Sequence, residues 1–217
     1  MPNYSAILFD LDGTLADTAP DLAYALNTIL QQEGYSTLNY ETIRPVASNG
    51  SAGLLGLGFN ITPEHTDYAE LQRRLIEVYE NNIARETRLF SGMSEVLEQL
   101  EQQNIAWGIV TNKPAFLTEP LSEKLGLIGR AGCIVSGDTT DHSKPHPAPM
   151  IHACELLSCL PEQCVYIGDA QRDIEAGKNA NMHTITARYG YISVHDDPTS
   201  WQADAIVDHP SEILKWI

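Results

Sequence analysis

Short, almost unbroken apolar runs that each end on a polar residue constrain this chain more than any other feature. Ala6-Ile7-Leu8-Phe9 runs into Asp10, Ala106-Trp107-Gly108-Ile109-Val110 into Thr111, and Cys164-Val165-Tyr166-Ile167 into Gly168-Asp169. A strand with one wet face alternates apolar and polar residues. Continuous apolar runs of this length belong instead to parallel strands covered by helices on both faces. Open sheets of that kind collect ligands beyond the carboxyl ends of their strands, so the polar residues closing each run are candidates for chemistry. Met182 to Ala187, Ala205 to Val207 and Cys133 to Val135 read as further strands.

Helical patterns alternate with these runs. Met93, Val96, Leu97 and Leu100 follow helical spacing, and residues 147–157 and 171–179 read as helices as well. From residue 88 onward the order is βαβα, which implies an α/β fold with a doubly wound parallel sheet. Residues 16–87 show no strand-like run. Leu22, Ala25, Leu26 and Ile29 form one helical stripe, Tyr68, Leu71, Leu75 and Val78 form another, and Pro20 suits a first helical turn. The expected organisation is therefore a core of residues 1–15 and 88–217, with a helical cap domain of residues 16–87 inserted after the first strand. A cap in that position would hang over the strand end that carries Asp10.

Composition narrows the partners. The chain has 217 residues, 43% of them apolar, enough for a sizeable core. Its net charge of −16 argues against nucleic acid or an anionic membrane surface. Cys133, Cys154, Cys159 and Cys164 include no CxxC pair and read as small buried hydrophobes rather than ligands. The start, MPNYSAILFD, has no basic segment ahead of a long apolar one, so a cytoplasmic location without a signal peptide is expected.

The segment Phe9-Asp10-Leu11-Asp12-Gly13-Thr14-Leu15 places carboxylates two residues apart at the end of a buried strand. With a side-chain period of two, Asp10 and Asp12 can point the same way. Paired carboxylates can divide labour between an ionised nucleophile and a proton carrier. Downstream, Thr111-Asn112-Lys113 follows one strand, Lys144-Pro145 lies in a loop, and Gly168-Asp169 with Asp173 follows another strand. In this order, these segments resemble the four signature motifs of the haloacid dehalogenase superfamily, and the resemblance covers the whole chain, helical cap included.

The resemblance implies a Rossmann-like core and a set of roles. Asp10 would attack phosphorus and become an aspartyl phosphate. Asp12 would protonate the leaving alkoxide and then take a proton from water. Mg²⁺ would be held by Asp10, Asp169 and the backbone carbonyl of Asp12, with Asp173 behind them orienting Lys144 or a metal-bound water. Thr111 and Asn112 would hold phosphate oxygens, and Lys144 would neutralise nucleophile and phosphate together. These cations would let an acidic protein bind an anionic substrate. In the cap, Arg44 and Ser48-Asn49-Gly50 are candidate substrate residues. Arg44 either pairs with a substrate carboxylate or is a solvated charge on a helix.

The family branch follows by comparison. All five lysines (113, 124, 144, 178 and 215) lie outside residues 16–87, so the cap lysine of phosphonate-cleaving relatives is missing. Dehalogenases lack the second aspartate, and transporting ATPases need membrane helices. A sugar phosphomutase remains an alternative, with Thr14 favouring a phosphatase. A catalytically dead binding module would have lost one of Asp10, Asp12, Lys144 or Asp169, and all are present. DGTLADTAPD and VTNKP look like the phosphoglycolate phosphatase group. LFSGMSEVLEQL, WGIVTNKP and YGYISVHDDPTSWQADAIVDHP look closer to the N-acetylmuramic acid 6-phosphate phosphatases of cell-wall recycling. Either reading makes the partner a small phosphate ester, with monomer or homodimer open.

Overall fold

The computed structural model describes residues 4–216. In chain order its strands are β1 (Ala6–Phe9), β2 (Ala16–Asp17), β3 (Arg88–Leu89), β4 (Ala106–Val110), β5 (Cys133–Val135), β6 (Cys164–Gly168), β7 (His183–Ala187) and β8 (Ala205–Val207). The helices are α1 (Ala19–Gln32), α2 (Tyr40–Ile43), α3 (Gly50–Phe59), α4 (Tyr68–Asn81), α5 (Met93–Gln102), α6 (Ala115–Lys124), α7 (Ala148–Leu157) and α8 (Gln171–Asn179). A 3₁₀ segment, Arg44–Asn49, joins α2 to α3.

The main sheet has the order β5-β4-β1-β6-β7-β8, and every pairing in it is parallel. β1 is central, with Phe9 level with Ile109 on one side and Ile167 on the other. The chain leaves β1 toward β4 and β5, then returns to the opposite side at β6. That reversal opens a crevice beyond the carboxyl ends of β1, β4 and β6, where ligand sites of open α/β sheets form.

The apolar runs are buried because both faces of the sheet are covered. Ile7, Phe9, Ile109, Val165 and Ile167 join one core cluster, while Ala6, Leu8, Val110, Cys164 and Tyr166 join the other. Alternate residues of the same strands thus feed opposite cores, as a period of two requires. Burying Ile7, Leu8 and Phe9, each at most 1% exposed, contributes roughly 1.5–3 kcal/mol apiece. Met93, Val96, Leu97 and Leu100 face the core from α5 as their spacing predicts.

The helical insertion packs largely on itself. α1 lies against α4, and α3 touches both. Leu22, Ala25, Leu26 and Ile29 are buried. On α4 the buried residues are Tyr68, Leu71, Leu75 and Tyr79, and Val78 is only partly buried, so the stripe turns onto Tyr79. The expectation that residues 16–87 hold no strand needs a correction. Ala16–Asp17 pairs antiparallel with Arg88–Leu89, so the two connections cross side by side as a small ribbon. Among the described residues no helix is long and apolar enough to cross a membrane.

Candidate active site

Asp10 emerges from the end of β1, with its amide bonded to Ile167 O at 2.8 Å. Its Oδ1 accepts from Leu11 N at 2.8 Å and lies 2.9 Å from Lys144 Nζ. The turn that follows requires glycine at position 13. Gly13 has φ +84°, and a Cβ there would fall 2.2 Å from Asp169 Oδ2. Only a bare backbone can bring the Asp12 turn this close to β6.

Lys144 is the hub. Beyond Asp10, its ammonium meets Asp173 Oδ1 at 2.7 Å, Val110 O at 3.0 Å and Tyr166 Oη at 2.7 Å. Burial alone would lower its pKa, but Asp10 and Asp173 more than reverse this, so Lys144 stays charged. Its loop is clamped by the Asn112 side chain, which accepts from Lys144 N at 2.9 Å and donates to Lys144 O at 3.0 Å. Asn112 therefore positions the lysine as well as lining the cavity.

Asp10, Asp169 and Asp173 offer carboxylate oxygens within 4.8 Å of one another. Burial, only partly offset by Lys144, pushes the Asp10 pKa up to about 6. Burial and the neighbouring carboxylates push Asp169 up to about 7. The cluster lacks positive charge for three ionised acids, and its hydrogen bonds show where charge would be welcome. Asp173 is occupied, with Oδ1 on Lys144 and Oδ2 on Ala170 N at 3.0 Å. Asp169 Oδ2 accepts from Ser48 Oγ at 3.0 Å and Tyr191 N at 2.8 Å, but Asp169 Oδ1 is buried with no hydrogen-bond partner among the described residues. An orphaned carboxylate oxygen beside a second carboxylate suits a hard divalent cation with oxygen ligands. The residues fit such an ion.

Asp12 is held apart from this cluster. Lys113 Nζ lies 3.0 Å from its Oδ1 and 3.3 Å from its Oδ2, and Thr18 Oγ1, just before α1, donates to Oδ1 at 2.5 Å. Asp12 nonetheless lines the same cavity as Asp10, so the two carboxylates converge from separate supports. Thr111, 3% exposed, lines it too, with its hydroxyl accepting from Lys113 N at 3.2 Å.

The cavity measures about 450 Å³. Its core side carries Asp10, Asp12, Thr111, Asn112, Lys113 and Arg172, while the insertion supplies Ser48, Asn49, Gly50 and an apolar wall including Leu54, Leu75, Ile76 and Tyr79. Arg44 is elsewhere. Its guanidinium donates to Gly190 O at 2.9 Å and Tyr189 O at 3.1 Å and sits 5.0 Å from the centre of the Tyr191 ring. It neither reaches the cavity wall nor floats in solvent, which corrects both readings of this residue; it ties the insertion to the loop after β7. Lys113, Tyr166 and Arg172 were not singled out as site residues from the sequence. The cysteine trio Cys154, Cys159 and Cys164 gathers where β6 begins, at the opposite end of that strand from Asp169.

Similarity to known proteins agrees with this geometry. A model of the haloacid dehalogenase-like hydrolases matches residues 7–187. The chain is 40% identical over 212 residues to an N-acetylmuramic acid 6-phosphate phosphatase of Pseudomonas putida, covering 98% of this chain and 95% of the relative. It is 39% identical over 211 residues to a phosphoglycolate phosphatase of Xanthomonas campestris pv. campestris, covering 96% and 94%. Among solved structures, a predicted phosphoglycolate phosphatase of Haemophilus somnus superimposes with a TM-score of 0.88 at 27% identity, over 100% of this chain and 99% of that one. The chain belongs to the haloacid dehalogenase-like hydrolases, and within them it is a phosphoric monoester hydrolase.

Proposed function

We propose that the protein is a Mg²⁺-dependent phosphatase that works through a phosphorylated Asp10 and acts on N-acetylmuramic acid 6-phosphate in preference to 2-phosphoglycolate. The observation that carries the chemistry is the pairing of Asp10 with Lys144 at 2.9 Å beside the orphaned Asp169 Oδ1. Lys144 favours the ionised form of Asp10 and offsets charge on the phosphate. An oxygen of Asp10 attacks phosphorus, and the ester P–O bond breaks in line with it. Asp12, presented by Lys113 and Thr18, gives its proton to the departing alkoxide. Water then attacks the aspartyl phosphate, Asp12 takes its proton, and inorganic phosphate leaves with Asp10 restored. Asp10 and Asp169 would hold Mg²⁺ with the Asp12 carbonyl, and the bound ion would supply positive charge to the phosphoryl oxygens. Thr111 and Asn112 would complete the phosphate cradle.

The helical insertion acts in this reading as a cap that selects the rest of the substrate. A cavity of about 450 Å³ with an apolar wall is generous for phosphoglycolate, whereas pockets of roughly 300–1,000 Å³ suit ligands of sugar-phosphate size or larger. The apolar side offers surface to the acetyl and lactyl methyl groups. Four free cysteines suit a reducing, cytoplasmic setting. The test is phosphate release from N-acetylmuramic acid 6-phosphate, 2-phosphoglycolate and hexose phosphates, with Mg²⁺ and with EDTA. The highest kcat/KM is expected for the muramic acid ester. Higher kcat/KM for phosphoglycolate would reverse the substrate assignment, and isomerised sugar phosphate without free phosphate would identify a mutase.

A further inference from the structure

Among the described residues, every cation that lines or backs the cavity has a carboxylate partner except one. Lys144 is held by Asp10 and Asp173, and Lys113 by Asp12. Arg172 lines the cavity yet has no carboxylate within ion-pair distance among the described residues. Its contacts are neutral acceptors on the insertion: Nη2 donates to Ser48 O at 2.6 Å and Nη1 to Asn49 Oδ1 at 3.5 Å. Neutral acceptors orient a guanidinium without cancelling its charge. The more distant Asp173, Asp10 and Asp169 outweigh the effect of burial and raise its pKa, so it remains a cation.

We propose that Arg172 is the specificity residue that takes a carboxylate on the non-reacting part of the substrate. The proposal rests on the phosphatase reading of this site and extends it to a substrate class: phosphate monoesters that also carry a carboxylate. A guanidinium has five N–H donors in a planar fork that matches a carboxylate through two parallel bonds. Only two of those donors are engaged, and the weaker contact, to Asn49, can open without breaking backbone structure. Arg172 is the second residue of α8 and Asp173 the third, so one turn sends its acid to Lys144 and its base toward the insertion. The carboxylate site thereby lies where core and insertion meet, beside the reacting Asp10 and Asp12.

The test uses pairs of phosphate esters, one with and one without a carboxylate: 2-phosphoglycolate against ethyl phosphate, and N-acetylmuramic acid 6-phosphate against N-acetylglucosamine 6-phosphate, which lacks the whole lactyl group. Binding is measured by calorimetry in an Asp10→Asn background, which leaves the esters uncut, and kcat/KM is measured separately with Asp10 intact. The expected result is tighter binding of at least one carboxylate ester than of its partner, and a fall in that ratio on the order of 10²-fold in Arg172→Gln. Arg172→Lys keeps the charge but not the fork and should lose about tenfold, which also answers the case in which the glutamine variant fails to fold. If both members of a pair weaken equally, Arg172 merely holds phosphate or braces Ser48, and the proposal is overturned. A ratio near unity before substitution overturns it as well. Binding ratios that behave as expected in a protein that releases no phosphate would keep Arg172 in this role and remove the phosphatase reading instead.

Discussion

Lys113 and Asp12 stand 101 positions apart in the chain and 3.0 Å apart in the fold, with the lysine also 4.5 Å from the centre of the Tyr79 ring. The ammonium and Thr18 together fix the carboxylate that must deliver a proton. Lys113→Met should leave Asp12 in place but free to rotate. A misplaced catalytic group costs on the order of 10²-fold. In the first step, read as the burst or as kcat/KM, the loss should be smaller for p-nitrophenyl phosphate, whose leaving group needs little protonation. Equal losses on that ester and on an alkyl phosphate would assign Lys113 to phosphate binding.

Arg44 is expected to behave oppositely to Arg172. Its hydrogen bonds to Gly190 O and Tyr189 O and its stacking on Tyr191 join the insertion to the core. Arg44→Ala should cost about 1–3 kcal/mol of stability, seen in urea unfolding, because charged hydrogen bonds to partly buried carbonyls are lost. Selectivity between carboxylate and carboxylate-free esters should persist. Loss of that selectivity at unchanged stability would return Arg44 to the substrate.

How much of this was legible follows from which signals are local. The strands around Asp10, Thr111 and Asp169 announce themselves because burial on both faces leaves no polar position inside them. α5 does so because one of its faces is wet. The β2–β3 ribbon is invisible because two residues hold no period. α6 is masked by Pro120, which lies within it. The convergence of Asp10, Lys144, Asp169 and Asp173 is implied by motif order, since each follows a strand or lies in a loop at the same edge of the sheet. Arg172 with Ser48 depends on how the insertion sits over that edge, and Lys113 with Asp12 on side-chain reach between the ends of β4 and β1, and no spacing encodes either. Arg172 did leave one signal, a base directly before Asp173 on the first turn of the helix after β6.

Acidity and cation binding should be linked with a definite sign. Without a cation, Asp10 and Asp169 titrate at about 6 and about 7, above the roughly 3.9 of an unfolded aspartate. Between those limits the folded state holds more protons than the unfolded one, so these groups lower stability as pH rises from about 4 to about 7. A divalent cation must displace the same protons, so its stabilising effect grows over the same interval and levels off above about 7. Thermal midpoints in Mg²⁺ and in EDTA should therefore diverge between pH 5 and 7, and Asp169→Asn should flatten the divergence. A constant gap across that range would mean the cation does not bind at these carboxylates.

The two aspartates of the first strand's end should fail in different ways. Asp10→Asn keeps shape but removes the nucleophile's charge and its bond to Lys144 as an ion pair, so neither chemical step should proceed. Asp12→Asn leaves Asp10, Lys144 and Asp169 untouched and still offers its backbone carbonyl, so substrate should bind nearly as before. What it loses is proton transfer, an effect typically worth about 10²–10⁴ in rate. That deficit should shrink for p-nitrophenyl phosphate in the first step, because p-nitrophenolate departs unaided. The second step still lacks its base, so phosphorylated enzyme should accumulate and a burst of p-nitrophenol should precede slow turnover. Mass spectrometry of acid-quenched Asp12→Asn should place the added phosphate on Asp10. Phosphate on another residue, or wild-type turnover by Asp10→Asn, would refute nucleophilic attack by Asp10.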